Sequence, residues 1–421
     1  MAGHIQDRWY KTVTTPDGKS ITVKTDRHGT GMRYRARYIG PDGTEKSKSF
    51  PDRQKRLAEA WLAKTKADME GGHYVDPKAA RTTFQQYAER WAASASGSIG
   101  GRDAIERQLR LHVNPLIGSR PLVAFQPAHV RDWLEELKNT APTESYRRII
   151  FGTVSTVFGA AVDDLLIPRN PCLAKSVRAP QGAPSRITPW RTEHVFAVRG
   201  ALPKRFRAMV DIGGGCGLRQ GEIFGLPADE VDFAGEWLAV RNQVKRVRGK
   251  LVFAPPKRGR LRDVPLPATV AAALRAHMRE FPTVKVTLPW ITPTGPLVTK
   301  ELVFTGNTGN TVRASYFDDF MWKPALATAG LIPKPPPGER YPAAREHGMH
   351  ALRHFYASVL LDAGETIKAL STYLGHSDPG FTLRVYTHLM PSSEGRTRKA
   401  VDNVFPALDE QPDGPQTAPG T

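Results

Sequence analysis

Cysteine is scarce in this sequence, since only Cys172 and Cys216 occur among 421 residues. No Cys-x-x-Cys pair or Cys/His cluster accompanies them, so we expect neither a disulfide framework nor a structural zinc site. Long apolar runs are missing too, because no stretch approaches the roughly 18 apolar residues of a membrane-spanning helix. The first residues also lack the apolar core of a signal peptide. These absences predict a reduced, soluble, cytoplasmic protein with no membrane partner.

Nucleotide-binding signatures are absent as well. Four glycines precede Arg219, at Gly213, Gly214, Gly215 and Gly217, but they do not match Gly-x-Gly-x-x-Gly and no Gly-Lys-Ser/Thr follows them. We therefore expect these glycines to allow close packing beneath a helix rather than to hold a phosphate.

Acidic residues are too few to balance the basic ones. The chain has 60 Lys and Arg against 41 Asp and Glu, which gives a formal net charge of +19. Such an excess favours a polyanionic partner. Nucleic acid, the ribosome and a membrane surface all fit it, so the pattern of individual residues must decide among them.

The length and the 40% hydrophobic content predict two or three domains with substantial cores. We predict an α+β, multidomain fold. Residues 1–81 are expected to form a small β-sheet plus a helix, and residues 82–178 an all-helical domain. Residues 179–189 read as a proline-rich linker, and residues 190–405 as a mixed, mainly-α domain with a β-hairpin. Residues 406–421 are predicted to be a disordered tail.

In the first region, arginines alternate with apolar or aromatic residues over positions 33–38, which predicts a strand there. Three arginines, Arg33, Arg35 and Arg37, occupy one face of this strand and apolar or aromatic residues the other. The turn sequence 41–43 predicts a hairpin, and apolar spacing over 58–69 predicts a helix behind it. The arginine row either lies in a DNA groove or is the solvated outer face of the strand, and the sequence leaves both open.

Apolar residues recur at helical spacing throughout the second region. The predicted segments are residues 84–91, a stripe of Ile105, Leu109 and Leu116, residues 130–137, and a long helix over 149–166 that ends before Pro168. We assign these apolar residues to the core.

Six residues of the third region form a set with a shared chemistry: Arg219, Lys257, His350, Arg353, His376 and Tyr386. Two guanidinium groups can hold both free oxygens of one phosphate and offset the charge of its five-coordinate state. A tyrosine hydroxyl can attack the phosphorus and store the bond as an ester. A lysine or histidine can protonate the departing sugar oxygen. Singly, each residue has an ordinary explanation as a surface, capping or half-buried side chain.

Local spacing adds two expectations. Glu222 follows Arg219 by about one helical turn and is expected to hold its side chain. His350 and Arg353 share a helix face. Because ionising a tyrosine in advance would cost roughly 4 kcal/mol at neutral pH, we expect a nearby histidine, His350, to take its proton during attack. His354 is interpreted as a structural residue that points elsewhere.

In order and spacing this set resembles the tyrosine recombinase family, specifically the phage-type, lambda-integrase-like integrases. The resemblance spans nearly the whole chain. It implies that Arg219 and Arg353 clamp the phosphate, Tyr386 is the nucleophile, and Lys257 is the general acid on a β-hairpin. It also implies that His350 and His376 assist proton transfer and that Glu222 has a supporting role. Because Arg258 follows Lys257 where the family usually has Thr or Ser, Lys245 and Lys250 remain alternative general acids.

The resemblance also implies a domain layout and an activity. Residues 1–81 would bind arm-type DNA sites, residues 82–178 would be a SAM-like core-binding domain, and residues 190–405 would be catalytic. The expected activity is site-specific recombination through a 3′-phosphotyrosine intermediate, which integrates or excises a prophage or an integrative plasmid without any cofactor.

The expected partners are double-stranded DNA attachment sites, bound by a homo-tetramer in which a helix over 396–404 docks on a neighbouring subunit. Participation of a directionality factor or a host DNA-bending protein is left open. Two other functions remain as alternatives, a type IB topoisomerase and a catalytically silent DNA-binding regulator.

Overall fold

The structure is a computed structural model that describes residues 3–71, 74, 82–95, 97–141, 143–182, 188–376 and 378–386, with single residues at 398, 401 and 404. The chain divides into two compact units, Met1–Pro184 and Ser185–Thr421. Helices and strands occur in both, which confirms the predicted α+β class. The predicted tail 406–421 and most of the predicted helix 396–404 lie outside the described residues. Over the described ranges, no helix is long and apolar enough to cross a membrane.

A three-stranded sheet and one helix open the first unit. Its elements are β1 (Gly3–Asp7), β2 (Tyr10–Thr14), β3 (Ser20–Lys24), β4 (Tyr34–Ile39), β5 (Glu45–Phe50) and α1 (Lys55–Glu70). The sheet order is β1-β4-β5 with antiparallel pairing, and β2 pairs with β3 separately. Tyr34, Ala36 and Tyr38 of β4 are buried together with Ala58 and Leu62 of α1. The predicted hairpin and helix are therefore confirmed, whereas β1, β2 and β3 were not anticipated.

Helices make up the rest of the first unit. They are α2 (Phe84–Ser94), α3 (Ile99–Gln108), α4 (Asn114–Ile117), α5 (Pro127–Thr140) and α6 (Glu144–Asp163). Their buried residues form a second apolar cluster, which includes Phe84, Trp133 and Phe158.

Two details of the helical prediction are wrong. Leu116 is 40% exposed rather than part of the core, because a π-helical segment, Leu109–Val113, inserts between α3 and α4 and shifts the buried face. The long helix spans Glu144–Asp163 rather than 149–166. It ends early because Leu165 has a positive φ of 58°, which breaks the helix ahead of Pro168.

The second unit is larger and mixed. Its helices are α7 (Thr192–Ala201), α8 (Lys204–Cys216), α9 (Gln220–Phe224), α10 (Ala268–Glu280), α11 (Ala314–Phe317), α12 (Lys323–Thr328), α13 (His350–Asp362), α14 (Ile367–Leu374) and α15 (Pro379–Tyr386). Its strands are β6 (Val231–Asp232), β7 (Trp237–Val240), β8 (Gln243–Val247), β9 (Lys250–Ala254), β10 (Arg262–Pro265), β11 (Val284–Pro289) and β12 (Leu297–Leu302). One apolar core joins most of these elements.

The β-hairpin predicted between 237 and 266 is in fact two strand pairs. β7 pairs with β10, and the hairpin β8–β9 lies between them in the chain. Pro255 and Pro256 end β9, since proline cannot donate to a strand ladder. Lys257 therefore lies in the connection to β10, in a single 3₁₀ turn, and not on the hairpin itself.

The glycines before Arg219 allow α8 to pack closely against neighbouring helices. A Cβ on Gly213 would lie 2.8 Å from Leu352 of α13, and one on Gly215 would lie 2.4 Å from Val270 of α10. Gly217 caps α8 in the left-handed conformation, with φ 66°. The predicted packing role is confirmed, and it brings α13 against the end of α8.

Replacing Gly217 by alanine tests this close approach. The new Cβ would lie 2.4 Å from the Tyr356 ring and would occupy a positive φ, so we expect a loss of about 2–5 kcal/mol in the free energy of unfolding. Urea denaturation followed by circular dichroism measures it. Gly249→Ala is the matched control, because Gly249 has φ 83° but nothing within 4 Å of an added Cβ, and it should cost only about 1–2 kcal/mol. Equal losses for the two variants would contradict the packing role.

Candidate active site

A buried carboxylate organises the predicted site. Glu222 of α9 is 1% exposed, and its two oxygens accept hydrogen bonds from two arginines. Arg219, at the start of α9, donates from its backbone nitrogen and from Nη1, both at 2.9 Å. Arg262 of β10 donates from Nη1 at 3.0 Å and from Nη2 at 2.6 Å. Burial alone would raise the pKa of Glu222, but the hydrogen bonds and charge of Arg262, helped by Arg219, lower it to about 2.

Arg353 of α13 is the second predicted clamp residue and is 1% exposed. Its Nη1 donates to the carbonyl of Gly217 at 2.7 Å, and its Nη2 donates to the carbonyl of Leu374. Burial, followed by the charges of Arg219 and Arg262, lowers the pKa of this guanidinium to about 9. The group remains a cation at neutral pH, because this pKa is still above 7 and backbone carbonyl oxygens accept its hydrogen bonds.

The three arginines converge on the carbonyl end of α14. Arg219 Nη2 also donates to Leu374 O, at 3.2 Å, and Arg262 Nε donates to Tyr373 O at 2.7 Å. A helix C-terminus carries partial negative charge, so it attracts cations. Since Arg219 and Arg353 share one acceptor oxygen, their guanidinium groups lie side by side. Three guanidinium groups against one carboxylate leave this region positive and suited to bind an anion.

His376 follows directly on α14 and joins the same cluster. Its Nε2 lies 3.2 Å from Arg353 Nη2, and its Nδ1 lies 2.7 Å from the Thr382 hydroxyl. Thr382 in turn lies 2.7 Å from the Ser371 hydroxyl. Burial, then the charge of Arg353, lowers the pKa of His376 to about 4. The ring is therefore neutral, with Nε2 accepting from the arginine and Nδ1 donating to the threonine.

Tyr386 ends α15, and its hydroxyl contacts a histidine that was not expected there. The hydroxyl lies 2.7 Å from Nδ1 of His354. The expectation that His354 points elsewhere is therefore wrong. Adjacent residues on a helix are about 100° apart, so Arg353 faces the α14 terminus while His354 faces α15. The phenol is 1% exposed, and burial raises the pKa of Tyr386 to about 12.

His350, the predicted base, lies one turn before His354 on α13. The two rings meet edge to face, with centroids 4.6 Å apart. Within the described part of the chain, the His350 side chain makes no hydrogen bond, and its residue is exposed. The pKa of His350 is nevertheless lowered, first by partial desolvation and then by the charges of His354, Arg353 and Arg219.

The predicted general acid, Lys257, is exposed and lies in the 3₁₀ turn between β9 and β10. Among the described residues, no hydrogen bond or ion pair joins it to the three arginines or to Tyr386. Its alternatives, Lys245 and Lys250, line a cavity of about 1140 Å³ between the β8–β9 hairpin and the segment Gly306–Phe317. None of the other predicted catalytic residues lines that cavity. Which lysine protonates the leaving group stays a prediction.

The predicted DNA-binding arginines belong to the first unit, and each has a partner in the β1-β4-β5 sheet or directly beside it. Arg33 pairs with Asp7 at 2.9 Å and Asp52 at 3.0 Å, Arg35 donates to the Ser47 hydroxyl, and Arg37 pairs with Glu45 at 3.1 Å. Their contact with DNA stays a prediction.

Arg262 and His354 are the site residues that sequence reasoning missed. For His354 a signal existed, because His350 and His354 are four apart and share a helix face. For Arg262 the only local signal is a charged residue alternating with Val264 on the buried face of β10.

The profile of the phage integrase family matches residues 193–392. The integrase of Mycobacterium phage D29 is 28% identical over 374 residues, which cover 86% of this chain and 91% of that protein. A protein named tyrosine recombinase XerC-like, from Caldanaerobacter subterraneus subsp. tengcongensis, is 29% identical over 268 residues, or 60% of this chain. The matched part spans 64% of that relative's length.

Solved structures share the fold. The integrase of transposon Tn1549, in complex with a circular intermediate DNA, superposes with a TM-score of 0.62 at 18% identity, covering 77% of this chain and 100% of that one. A lambda integrase tetramer bound to a Holliday junction gives 0.52 at 16% identity, covering 85% and 92%. At these identities the likeness shows the fold alone.

Replacing Glu222 by glutamine tests the organising carboxylate. Arg262 would lose its buried counter-charge, so we expect a loss of about 3–5 kcal/mol at pH 7. In the unaltered protein, the lowered pKa of Glu222 stabilises the fold above pH 4.5, and this part is lost as the pH falls towards 2. That part amounts to about 3 kcal/mol, and the variant should lack it.

Urea denaturation at pH 7 and pH 3 measures both effects. The control is Glu280→Gln, because Glu280 is exposed and pairs with Lys204 only at 3.8 Å, so it should change stability by less than about 1 kcal/mol. A Glu222→Gln variant with the same loss between pH 7 and pH 3 as the unaltered protein would contradict the assignment.

Proposed function

Because the chain belongs to the phage integrase family of tyrosine recombinases, we propose that it is a site-specific DNA recombinase that breaks and rejoins strands through Tyr386. One observation carries the proposal. Arg219 and Arg353 donate to the same oxygen, that of Leu374, and the residue next to Arg353 holds the Tyr386 hydroxyl at 2.7 Å. The two arginines that would hold a phosphate and the tyrosine that would attack it thus lie around one short stretch of α13.

The clamp explains how a DNA phosphate would be bound and activated. Arg219 and Arg353 would turn part of their hydrogen bonding from the Leu374 carbonyl to the two free phosphate oxygens. His376, held by Thr382, would lie beside the bound phosphate. As the phosphorus becomes five-coordinate its oxygens gain charge, and the fixed guanidinium groups stabilise that charge more strongly than the ground state.

Tyr386 would attack as the oxygen of a neutral phenol that loses its proton during the step. Its pKa of about 12 makes prior ionisation at pH 7 unfavourable by about 7 kcal/mol. A base must therefore accept the proton as the bond to phosphorus forms. Lys257 would protonate the departing 5′ oxygen. The phosphotyrosine ester keeps the energy of the broken bond, so rejoining needs neither ATP nor a metal ion.

Double-stranded DNA attachment sites are the proposed partner. The solved relatives with this fold include an integrase on a circular intermediate DNA and a lambda integrase tetramer on a Holliday junction, and the excess of positive charge here supports the same class of ligand. We extend this to a homo-tetramer on two sites of a mobile element such as a prophage or an integrative plasmid. The relatives reported above carry the names integrase or recombinase, which gives no support to the topoisomerase and regulator alternatives.

Tyr386→Phe tests the nucleophile. We expect it to abolish the covalent protein–DNA complex on a nicked substrate, because no oxygen remains to attack, while DNA binding stays within a few-fold. Denaturing gels and band shifts, both in EDTA without ATP, measure the two properties. Tyr341→Phe, in the loop before α13, is the matched control and should cleave normally. A covalent complex with Tyr386→Phe, or dependence of the unaltered protein on Mg²⁺, would rule out the proposed reaction.

Salt dependence tests the mode of DNA binding. If roughly 6 to 10 Lys or Arg side chains contact phosphates, affinity should fall ~10³- to 10⁵-fold between 50 and 200 mM salt. Fluorescence anisotropy with a labelled duplex gives the slope of log affinity against log salt concentration. A slope corresponding to one or two contacts would contradict DNA as the main ligand of the basic surface.

A further inference from the structure

The hydroxyl of Tyr386 has one hydrogen-bond partner among the described residues, Nδ1 of His354 at 2.7 Å. A nucleophile and a base within hydrogen-bond reach are the usual signature of an activated hydroxyl. Resting on the function proposed above, we propose that His354, rather than His350, is the catalytic base that takes the proton of Tyr386 when its oxygen attacks the DNA phosphorus.

The protonation states fit this direction of transfer. Burial raises the pKa of Tyr386 to about 12, so the phenol carries its proton at pH 7. Burial, then the charge of Arg353, lowers the pKa of His354 to about 4, so its ring is neutral. We assign the tautomer with the proton on Nε2, which leaves Nδ1 to accept from the phenol O–H.

The other two histidines are engaged differently. Both nitrogens of His376 are occupied, one by Arg353 and one by Thr382. His350 contacts His354 edge to face at 4.6 Å, and no hydrogen bond of its own is described. His350 therefore contacts the His354 ring rather than the Tyr386 hydroxyl, and His376 belongs to the proposed phosphate clamp.

Substrate binding would make His354 a stronger base at the moment it is needed. Besides burial, the charge of Arg353 lowers the pKa of His354, and Arg353 also belongs to the proposed clamp. A phosphate held by Arg219 and Arg353 brings negative charge next to the same ring and opposes that depression. His354 would therefore accept the proton readily only when DNA occupies the clamp.

The Tyr386 O–H bond breaks, its proton passes to His354 Nδ1, and the Tyr386 oxygen forms a bond to phosphorus. The bond from phosphorus to the 5′ oxygen breaks, and that oxygen takes a proton from the general acid proposed above, Lys257. On rejoining, the 5′ hydroxyl returns its proton to Lys257 as its oxygen bonds to phosphorus. The bond from phosphorus to the Tyr386 oxygen then breaks, and His354 returns its proton to that oxygen.

Single-turnover formation of the covalent complex tests the assignment with His354→Asn. The asparagine amide oxygen lies near the position of Nδ1 and accepts a hydrogen bond but not a proton. We expect cleavage to slow ~10²- to 10³-fold, with DNA binding and the circular dichroism spectrum unchanged. His354→Gln is a second variant in case the first does not fold.

A substrate with sulfur in place of the 5′ bridging oxygen separates a base from an acid. The sulfur leaves without needing a proton, so this DNA should restore cleavage by Lys257→Ala but not by His354→Asn. A second readout is 3-fluorotyrosine at position 386, whose more acidic phenol needs less help from a base. It should narrow the gap between His354→Asn and the unaltered protein.

Two results would overturn the assignment. One is cleavage by both His354 variants within about threefold of the unaltered protein, or faster, as expected if His354 merely holds Tyr386 away from DNA. The other is rescue of His354→Asn by the sulfur substrate, which would make His354 an acid. If instead the unaltered protein forms no covalent complex with either DNA, the proposed function fails rather than the role of His354.

Discussion

The second unit depends on one buried carboxylate, that of Glu222. Its oxygens accept hydrogen bonds from Arg219 and Arg262, while the carbonyl oxygen of Leu374 at the end of α14 accepts one from Arg353. Without these acceptors, three guanidinium groups at such short range would repel one another and would lose their hydration. With them, the site is a positive cluster whose members are fixed before any ligand arrives. Such preorganisation is what electrostatic stabilisation of a transition state requires.

The same contacts connect the chemistry to the fold. The Leu374 carbonyl binds α9 and α13 to the end of α14, and Gly375 then turns the chain so that His376 meets Arg353. α15 follows and returns Tyr386 to α13. Packing of α8 against α13 depends on glycines that leave no room for a Cβ. A change in this packing would therefore move the proposed phosphate clamp and the proposed nucleophile, Tyr386, together.

Much of the site was accessible from residue type and order. Arg219, Arg353, His376 and Tyr386 were each chosen for a chemical role, and the structure brings them together, although their roles stay proposals. Lys257 is the exception, because it lies in a loop with no described contact to the others. Arg262 was not predicted, because it is 40 residues from Glu222 and no local sequence pattern links a strand residue to a distant helix. The exposure of Leu116 was not predicted either, because a π-helical segment has no clear signature in the spacing of apolar residues.

The sequence alone determined the inventory of reactive groups, the local periodicity of helices and strands, and the positive charge that favours a DNA partner. These depend on composition and near-neighbour spacing. Only the tertiary structure decided which histidine contacts the tyrosine. His350 and His354 lie one turn apart on the same face of α13, and Tyr386 is 32 residues beyond His354. The distance between them is set by how α13, α14 and α15 pack, and a hydrogen bond tolerates an error of only a few tenths of an ångström.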